Sequence, residues 1–187
     1  MGGVLGQLGR IEDALRDFSA SLSIEPNDPL VLFNRGIVRL LWNDIDAALE
    51  DFNDSLTLRE DPLALVNRGI ALTTAGRHDE ALTDFDRALD LDPGDPIARL
   101  NRASLLYVMG DLRGALNDMN LALPHLKARE LREQAEKVHR LALEALLKDL
   151  AAKGFAYWAG GKPKGSKNPV RMTPGPSISE MIHEMRQ

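Results

Sequence analysis

Apolar side chains recur along the first two thirds of the chain with the 3.6-residue period of an α-helix, in paired runs separated by short polar stretches. Three segments align without gaps: DPLVLFNRGIVRLLWNDIDAALEDFNDSL (28–56), DPLALVNRGIALTTAGRHDEALTDFDRAL (61–89) and DPIARLNRASLLYVMGDLRGALNDMNLAL (95–123). Their Asn-Arg pairs begin at residues 34, 67 and 101, which are steps of 33 and 34 residues. This period predicts pairs of antiparallel helices, each pair stacked on the next.

A fourth copy, LGQLGRIEDALRDFSASLSIEPND (5–28), lacks the opening of its first helix. The turn inside each pair is predicted at a Gly or Asn residue, and Pro26 and Pro93 are predicted to end the second helix of their pairs. The four predicted turn residues are Gly9, Asn43, Gly76 and Gly110.

Small and bulky apolar residues occupy fixed places in every copy. A small residue recurs in the first helix (Gly36, Gly69, Ala103), an alanine early in the second (Ala14, Ala48, Ala81, Ala115), and a bulky residue four positions later (Phe18, Phe52, Phe85, Met119). With the terminal prolines, these positions resemble the tetratricopeptide repeat (TPR) over residues 1–124. The resemblance implies an all-α, right-handed superhelix of about three and a half repeats, the first truncated. The copy that begins at Asp28 departs from it at Glu60, where the family usually has proline, and is one residue short.

The resemblance also implies a concave groove lined by the first helix of each pair, and this groove is predicted to bind a protein or peptide. Its residues are Leu30, Phe33, Asn34, Ile37 and Leu41; Leu63, Val66, Asn67, Ile70 and Thr74; and Ile97, Leu100, Asn101, Ser104 and Val108. An apolar surface of this size is typical of a partner site. The family's carboxylate clamp needs lysines and an arginine in the groove, but apolar residues such as Phe33 and Ile37 stand there, so a clamp is not expected.

Two sets of polar residues recur with the same period. Asn34, Asn67 and Asn101 each offer a donor and an acceptor, and resemble the asparagine ladder with which some TPR superhelices bind a peptide backbone. The alternative is that each amide only bridges to a neighbouring helix. The arginine after each Asn, and an aspartate before each Phe or Met, suggest structural ion pairs between stacked helices; the alternative is a functional basic stripe.

The composition of the chain limits the classes of function that are expected. The chain has no cysteine, which excludes disulfides, thiolate metal sites and a cysteine nucleophile. No apolar run is long enough to span a bilayer, and the start does not resemble a secretory signal, so a cytoplasmic protein without membrane contact is expected. The four histidines lie in unrelated contexts, and no phosphate-binding loop follows a strand. We therefore expect no enzyme, metal site or cofactor.

Residues 125–154 predict one long amphipathic helix after Pro124, with an apolar side formed by Leu131, Val138, Leu141, Ala145 and Leu150. A stacked array needs a solvating end unit, and this helix is interpreted as that cap. The alternative interpretation is a dimerisation helix.

The remaining segment, 155–187, is basic and rich in Gly and Pro. The net charge is +4 over residues 153–187 and −9 over residues 1–152. From Leu150 to Arg186, the helix ending in Gly154, the Trp158-Ala-Gly-Gly-Lys-Pro turn and the Ile178-Ser-Glu-Met-Ile end resemble the toxin-binding tail of type II antitoxins paired with PIN-type ribonucleases. That resemblance implies contacts with a toxin nuclease through a set of apolar and basic residues. They are Trp158, Lys162, Arg171, Ile178, Ile182 and Arg186.

The tail has two other interpretations: a DNA minor-groove hook, which the acidic body and the single Gly-Lys-Pro match disfavour, and a linker without a partner. For the whole chain, the sequence therefore leaves a peptide-binding scaffold and an antitoxin-like nuclease inhibitor as alternatives. A third outcome is self-association, with the groove taking the chain's own tail or that of a second copy in a homodimer. Nucleic acid is not an expected partner.

Overall fold

The structure is a computed structural model that describes the backbone of residues 2–152 and the side chains of residues 10–150 and 152. These residues form eight α-helices, α1 (Gly2–Ile24), α2 (Pro29–Leu41), α3 (Ile45–Leu58), α4 (Pro62–Thr74), α5 (His78–Leu91), α6 (Pro96–Met109), α7 (Leu112–Ala122) and α8 (Arg129–Ala152), with a 3-10 turn at Leu123–His125. No strand occurs within residues 2–152. The predicted all-α array of stacked helix pairs is confirmed.

The pairs are α2–α3, α4–α5 and α6–α7, and we call the first member of each pair its A helix and the second its B helix. Each A helix begins at an Asp-Pro dipeptide, because the aspartate caps the helix and proline suits its first turn. Asp28, for example, accepts hydrogen bonds from the backbone N–H groups of Leu30 (2.8 Å) and Val31 (3.1 Å). Asp61 and Asp95 cap α4 and α6 in the same way.

One or two residues after each A helix, the backbone adopts the left-handed region, with φ of 64° at Asn43, 76° at Gly76 and 88° at Gly110. These are three of the four predicted turn residues. The fourth prediction, a turn at Gly9, is wrong, because α1 continues through it as one helix. A separate helix of at most eight residues would have had little apolar surface to pack, whereas a continuous helix keeps its backbone hydrogen bonds.

The core lies between the A and B helices of each pair. Gly36 lies against the ring of Phe52, Gly69 lies against that of Phe85, and Ala103 packs with Met119. One apolar cluster runs through α2 to α6, and a second joins α6 and α7 to α8. The small residue of each A helix therefore sets how closely its B helix approaches.

Helix α8 packs on α7 and α6, where the next A helix would lie. It begins at Arg129, four residues later than predicted, because the 3-10 turn and an extended residue, Leu126, follow α7. The predicted apolar side of α8 is only partly buried, and its fully buried residues are Ala135 and Ala142. The small size of these two alanines lets α8 lie close to α7.

Candidate binding surface on the A helices

Helices α2, α4 and α6 lie side by side and form one face of the array. The first turns of α2 and α4 present an apolar side chain to solvent at equivalent positions, where Leu30 is 54% exposed and Leu63 is 58% exposed. The equivalent residue of α6, Ile97, is half-buried. At their far ends, Leu41, Thr74 and Val108 are exposed as well. Between the two ends, Phe33, Ile37 and Ile70 are half-buried and pack on the core beneath them. These residues form an apolar strip along the face, exposed at its two ends and half-buried between them.

Two of the predicted groove residues lie deeper than the pattern implies. Val66 is 3% exposed and Leu100 is 2% exposed, although the equivalent residue of the first full repeat, Phe33, is half-buried. Helix α4 lies between α2 and α6, and α6 lies between α4 and α8, so each has an A-position neighbour on both sides. Val66 and Leu100 are therefore part of the core beneath the strip and offer little surface to a partner.

The repeated asparagines lie on this same face and are half-buried. The side-chain amide of Asn67 donates to the carbonyl oxygen of Leu63 at 2.8 Å, and that of Asn101 donates to Ile97 at 2.9 Å. Ser104 likewise donates to Leu100, one turn back, at 2.8 Å. These bonds use one amide hydrogen of each asparagine, and within residues 2–152 no donor reaches either side-chain oxygen. Both asparagines therefore keep an acceptor and a second amide hydrogen for a ligand.

The repeated arginines pair with the repeated aspartates, as the structural interpretation predicted. Arg68 binds Asp84 through both Nε (2.7 Å) and Nη2 (2.6 Å), and Arg102 binds Asp118 in the same way (2.7 and 2.8 Å). The aspartates are buried and the arginines are mostly covered. Each bidentate pair joins the A and B helices of one repeat, which excludes these arginines as a free basic stripe.

The same arginines also reach the preceding repeat, which sequence reasoning missed. Nη1 of Arg68 donates to Asn53 at 2.8 Å, and Nη1 of Arg102 donates to Asp86 at 2.7 Å. The hydrogen bond to Asp118, and after it the one to Asp86, raise the pKa of Arg102 above its ordinary value, so the guanidinium stays protonated. The signal was present in the sequence as a polar residue directly after each Phe of the B helices.

Two absences apply to the described part of the chain. No group of three or more His, Asp or Glu side chains there is arranged to hold a metal ion. None of the helices between residues 2 and 152 is long and apolar enough to cross a membrane.

Comparison with known protein families finds matches over part of the chain. Two family models described as tetratricopeptide repeat match residues 43–96 and 72–125. No curated protein sequence matches the chain significantly.

Solved structures share the fold at low sequence identity. A crystal structure of MamA is 19% identical with a TM-score of 0.58, covering 81% of this chain and 97% of that one. The first TPR of Spaghetti (RPAP3), bound to the HSP90 peptide SRMEEVD, is 20% identical with a TM-score of 0.58. The match covers 64% of this chain and 93% of that one. The Yersinia enterocolitica secretion chaperone SycD, in complex with a YopD peptide, is 19% identical with a TM-score of 0.57, covering 63% and 92%. The fold of residues 2–152 is thus similar to that of solved TPR structures, and tetratricopeptide-repeat models match residues 43–125 of the chain.

The residues predicted to contact a partner through the tail are not tested by the structure. Trp158, Lys162, Arg171, Ile178, Ile182 and Arg186 all lie outside the described residues. Neither family model reaches the tail, since the matches end at residue 125. The antitoxin resemblance, and with it the toxin nuclease as a partner, stays a prediction from sequence.

Proposed function

We propose that this protein is an interaction scaffold that binds a segment of another protein along the face formed by α2, α4 and α6. The observation that carries the proposal is the accessible apolar strip, with Leu30 and Leu63 more than half exposed at equivalent positions. Leaving such side chains in water is unfavourable, and burying them under a partner gives a binding free energy of about 25 cal/mol per Å² of apolar surface. Binding, rather than catalysis, is what this face is suited to.

The asparagines indicate how a bound segment would be held. Asn67 and Asn101 stand at equivalent positions of adjacent repeats, each with a side-chain oxygen that no donor occupies within residues 2–152. An extended peptide has backbone N–H groups to give to such acceptors whatever its sequence, while its apolar side chains pack on the strip. A helical segment would use the strip alone. Sensitivity to the asparagines therefore distinguishes the two modes.

The charge of the array indicates which segments it prefers. The chain has no lysine before Lys127, and Arg35, Arg68 and Arg102 are already occupied by aspartates. The face therefore lacks free cations for an acidic peptide such as the one bound by the Spaghetti domain. We infer a partner segment that is apolar and neutral or basic, because the body of this chain is acidic.

Affinity capture with the full-length protein, followed by mass spectrometry, tests this proposal. Leu63→Glu should remove the partner, because it puts a charge on the exposed apolar end of the middle A helix, α4. Leu121→Glu is the matched control, since Leu121 is 47% exposed on the B helix α7, away from the strip, and its change should leave capture intact. Replacing Asn34, Asn67 and Asn101 together by Ala should weaken capture of an extended segment and spare that of a helix. Equal capture by both leucine variants would overturn the proposal.

A 1–154 truncation separates the groove from the tail. The proposal requires the same partners with and without residues 155–187. A small nuclease captured by the full-length chain alone would place the binding end in the tail, and would replace this proposal with the antitoxin-like alternative. Capture of only the chain itself would show self-association and would equally overturn it.

A further inference from the structure

The A-helix strip lies on an acidic part of the chain whose positive charges are already used. All five arginines of α2, α4 and α6 are ion-paired with buried aspartates of the B helices, which are Asp51, Asp84 and Asp118. The net charge of residues 28–122 is −8. Because the strip is apolar and the potential around it is negative, it matches an occupant that is apolar and basic.

One segment of this chain has that chemistry. Residues 155–172 (FAYWAGGKPKGSKNPVRM), which we call the basic segment, contain four Lys or Arg residues and no Asp or Glu. Apolar side chains stand at both of its ends. The residues that follow it do not match the strip, since Glu180 and Glu184 outnumber Arg186 there. The basic segment lies outside the described residues, so its place is inferred from its sequence and from the helix before it.

The end of α8 brings the basic segment close to the strip. Leu146 of α8 belongs to the same apolar cluster as Leu106 and Tyr107, near the end of α6. The next residue, Val108, is 66% exposed and forms one end of the strip. Helix α8 ends at Ala152, which is about 9 Å of helix beyond Leu146. The basic segment therefore begins near the Val108 end of the strip.

We propose that the basic segment docks on the A-helix strip of its own molecule and competes there with the partner segment. This inference rests on the proposed function, because both use the same surface, and it adds that access to the surface is regulated. A partner has to displace the basic segment before it binds, so the intact chain binds more weakly than the strip alone.

The length and composition of the basic segment suit this site. Neighbouring A helices lie about 10 Å apart, so the strip is about 20 Å across from α6 to α2. Eighteen extended residues span about 60 Å, which is more than enough. Pro163 and Pro169 disfavour a helix and favour an extended form. An extended segment has backbone N–H groups for the side-chain oxygens of Asn67 and Asn101, which no donor occupies within residues 2–152.

A labelled peptide copy of residues 155–172, titrated with the full-length protein and followed by anisotropy, tests the proposal. Lys164→Glu/Lys167→Glu reverses two charges in the chain's own segment and should release it from the strip. We expect the peptide to bind this double variant at least tenfold more tightly than the wild type. Lys127→Glu/Lys137→Glu is the matched control, since it makes the same charge change at two exposed lysines outside the segment and should bind as the wild type does. Equal binding by the wild type and Lys164→Glu/Lys167→Glu would overturn the proposal.

Further substitutions in the Lys164→Glu/Lys167→Glu protein locate the peptide. Leu63→Glu should weaken peptide binding at least tenfold, whereas Leu121→Glu should leave it unchanged; equal binding would place the peptide off the strip and overturn the proposal. Failure of the peptide to bind, while Leu63→Glu still abolishes partner capture, would overturn this inference and leave the proposed function. Peptide binding that Leu63→Glu weakens, with partner capture unaffected by Leu63→Glu, would overturn the proposed function and leave the docking.

Cross-linking gives a second readout, because the chain has no cysteine of its own. Thr74 lies at an exposed end of the strip and Thr83 lies on α5 outside it; both are exposed and each donates to a carbonyl four residues earlier at 2.9 Å. With Ser166→Cys and a short bismaleimide, Thr74→Cys should cross-link within one molecule at least fivefold more than Thr83→Cys. Lys164→Glu/Lys167→Glu should remove this excess. Equal yields would overturn the docking, and cross-links between two molecules would overturn its assignment to the same molecule.

Discussion

The contact between the small residue of an A helix and the ring below it gives the sharpest test of how the repeats pack. In α4, a Cβ atom added at Gly69 would lie 2.6 Å from Cε1 of Phe85, 2.9 Å from Cζ and 3.0 Å from Cδ1. Real Cβ atoms do not approach other carbons this closely, so a Gly69→Ala protein must move something. Phe85 is 1% exposed, so its ring is confined on all sides.

The size of the effect follows from two opposing contributions. Overpacking a core of this density costs about 1–3 kcal/mol, and three ring atoms at or below 3.0 Å place Gly69→Ala towards the upper end. Alanine in place of glycine within a helix returns about 1 kcal/mol. The net expectation is a loss of about 1–2 kcal/mol in the free energy of unfolding. Without the contact, the same substitution would stabilise the protein.

The third repeat shows the compensating change, because it has Ala103 where the others have glycine and Met119 where they have phenylalanine. Methionine is unbranched and adapts to a neighbouring methyl group, so Phe85→Met should relieve the contact. We expect the Gly69→Ala/Phe85→Met protein to be at least as stable as Phe85→Met alone, with a coupling of about 1–2 kcal/mol between the two changes.

Urea denaturation of the wild type, both single variants and the double variant measures this coupling. Circular dichroism at 222 nm and tryptophan fluorescence should give coincident transitions, which validates a single free energy. A stabilised Gly69→Ala protein, or additive effects within about 0.3 kcal/mol, would refute the steric account.

Three further predictions concern single interactions. Arg68→Gln should lower the free energy of unfolding by about 3 kcal/mol, measured by urea denaturation, because it leaves the buried carboxylate of Asp84 without its ion pair. Gly110→Ala should cost about 1 kcal/mol in the same assay, since φ is 88° there and an added Cβ would meet nothing within 4 Å, so the cost is purely conformational. Arg87 lowers the pKa of exposed Glu60, chiefly through its hydrogen bonds. The pair therefore stabilises the fold at pH values above the unfolded pKa of the carboxyl group. This contribution is lost as the pH falls through the lower, folded pKa. Thermal melts of wild type and Glu60→Gln should therefore differ slightly at neutral pH and converge in acid; a difference that grows in acid would contradict this sign.

The helix pairs and their contacts could be predicted because the sequence repeats them. The Asp-Pro starts, the turns at Gly76 and Gly110, and the spacing of the small and bulky residues each rest on local geometry that recurs in the three complete copies. The Arg-Asp pairs could be predicted for the same reason: two opposite charges that recur together at a spacing of sixteen residues are held by one packing arrangement.

Burial depth could not be predicted from the same pattern. Phe33, Val66 and Leu100 occupy equivalent positions, yet only Phe33 is half-buried. The burial of each residue depends on the helices beside its A helix. Helices α4 and α6 each lie between two helices of this face, whereas α2 has such a neighbour on one side only within the described residues. The continuation of α1 through Gly9 and the late start of α8 at Arg129 have the same origin. Helices α1 and α8 are the first and last described helices, so their residues have different neighbours from the equivalent residues of the repeats between them.

The bridges between repeats differ in length along the array, and this difference bears on its stability. Stability in a stacked array is the sum of what each repeat contributes and what each junction contributes. The junction bond from the arginine is 2.7 Å to Asp86 and 2.8 Å to Asn53, but 3.5 Å to the hydroxyl of Ser19. Helix α1 is thus held by the weakest of the three bridges and has one face uncovered within the described residues. Of the helices from α1 to α7, α1 should therefore separate first when the array is destabilised, because the bond that ties it to its neighbour is the longest of the three.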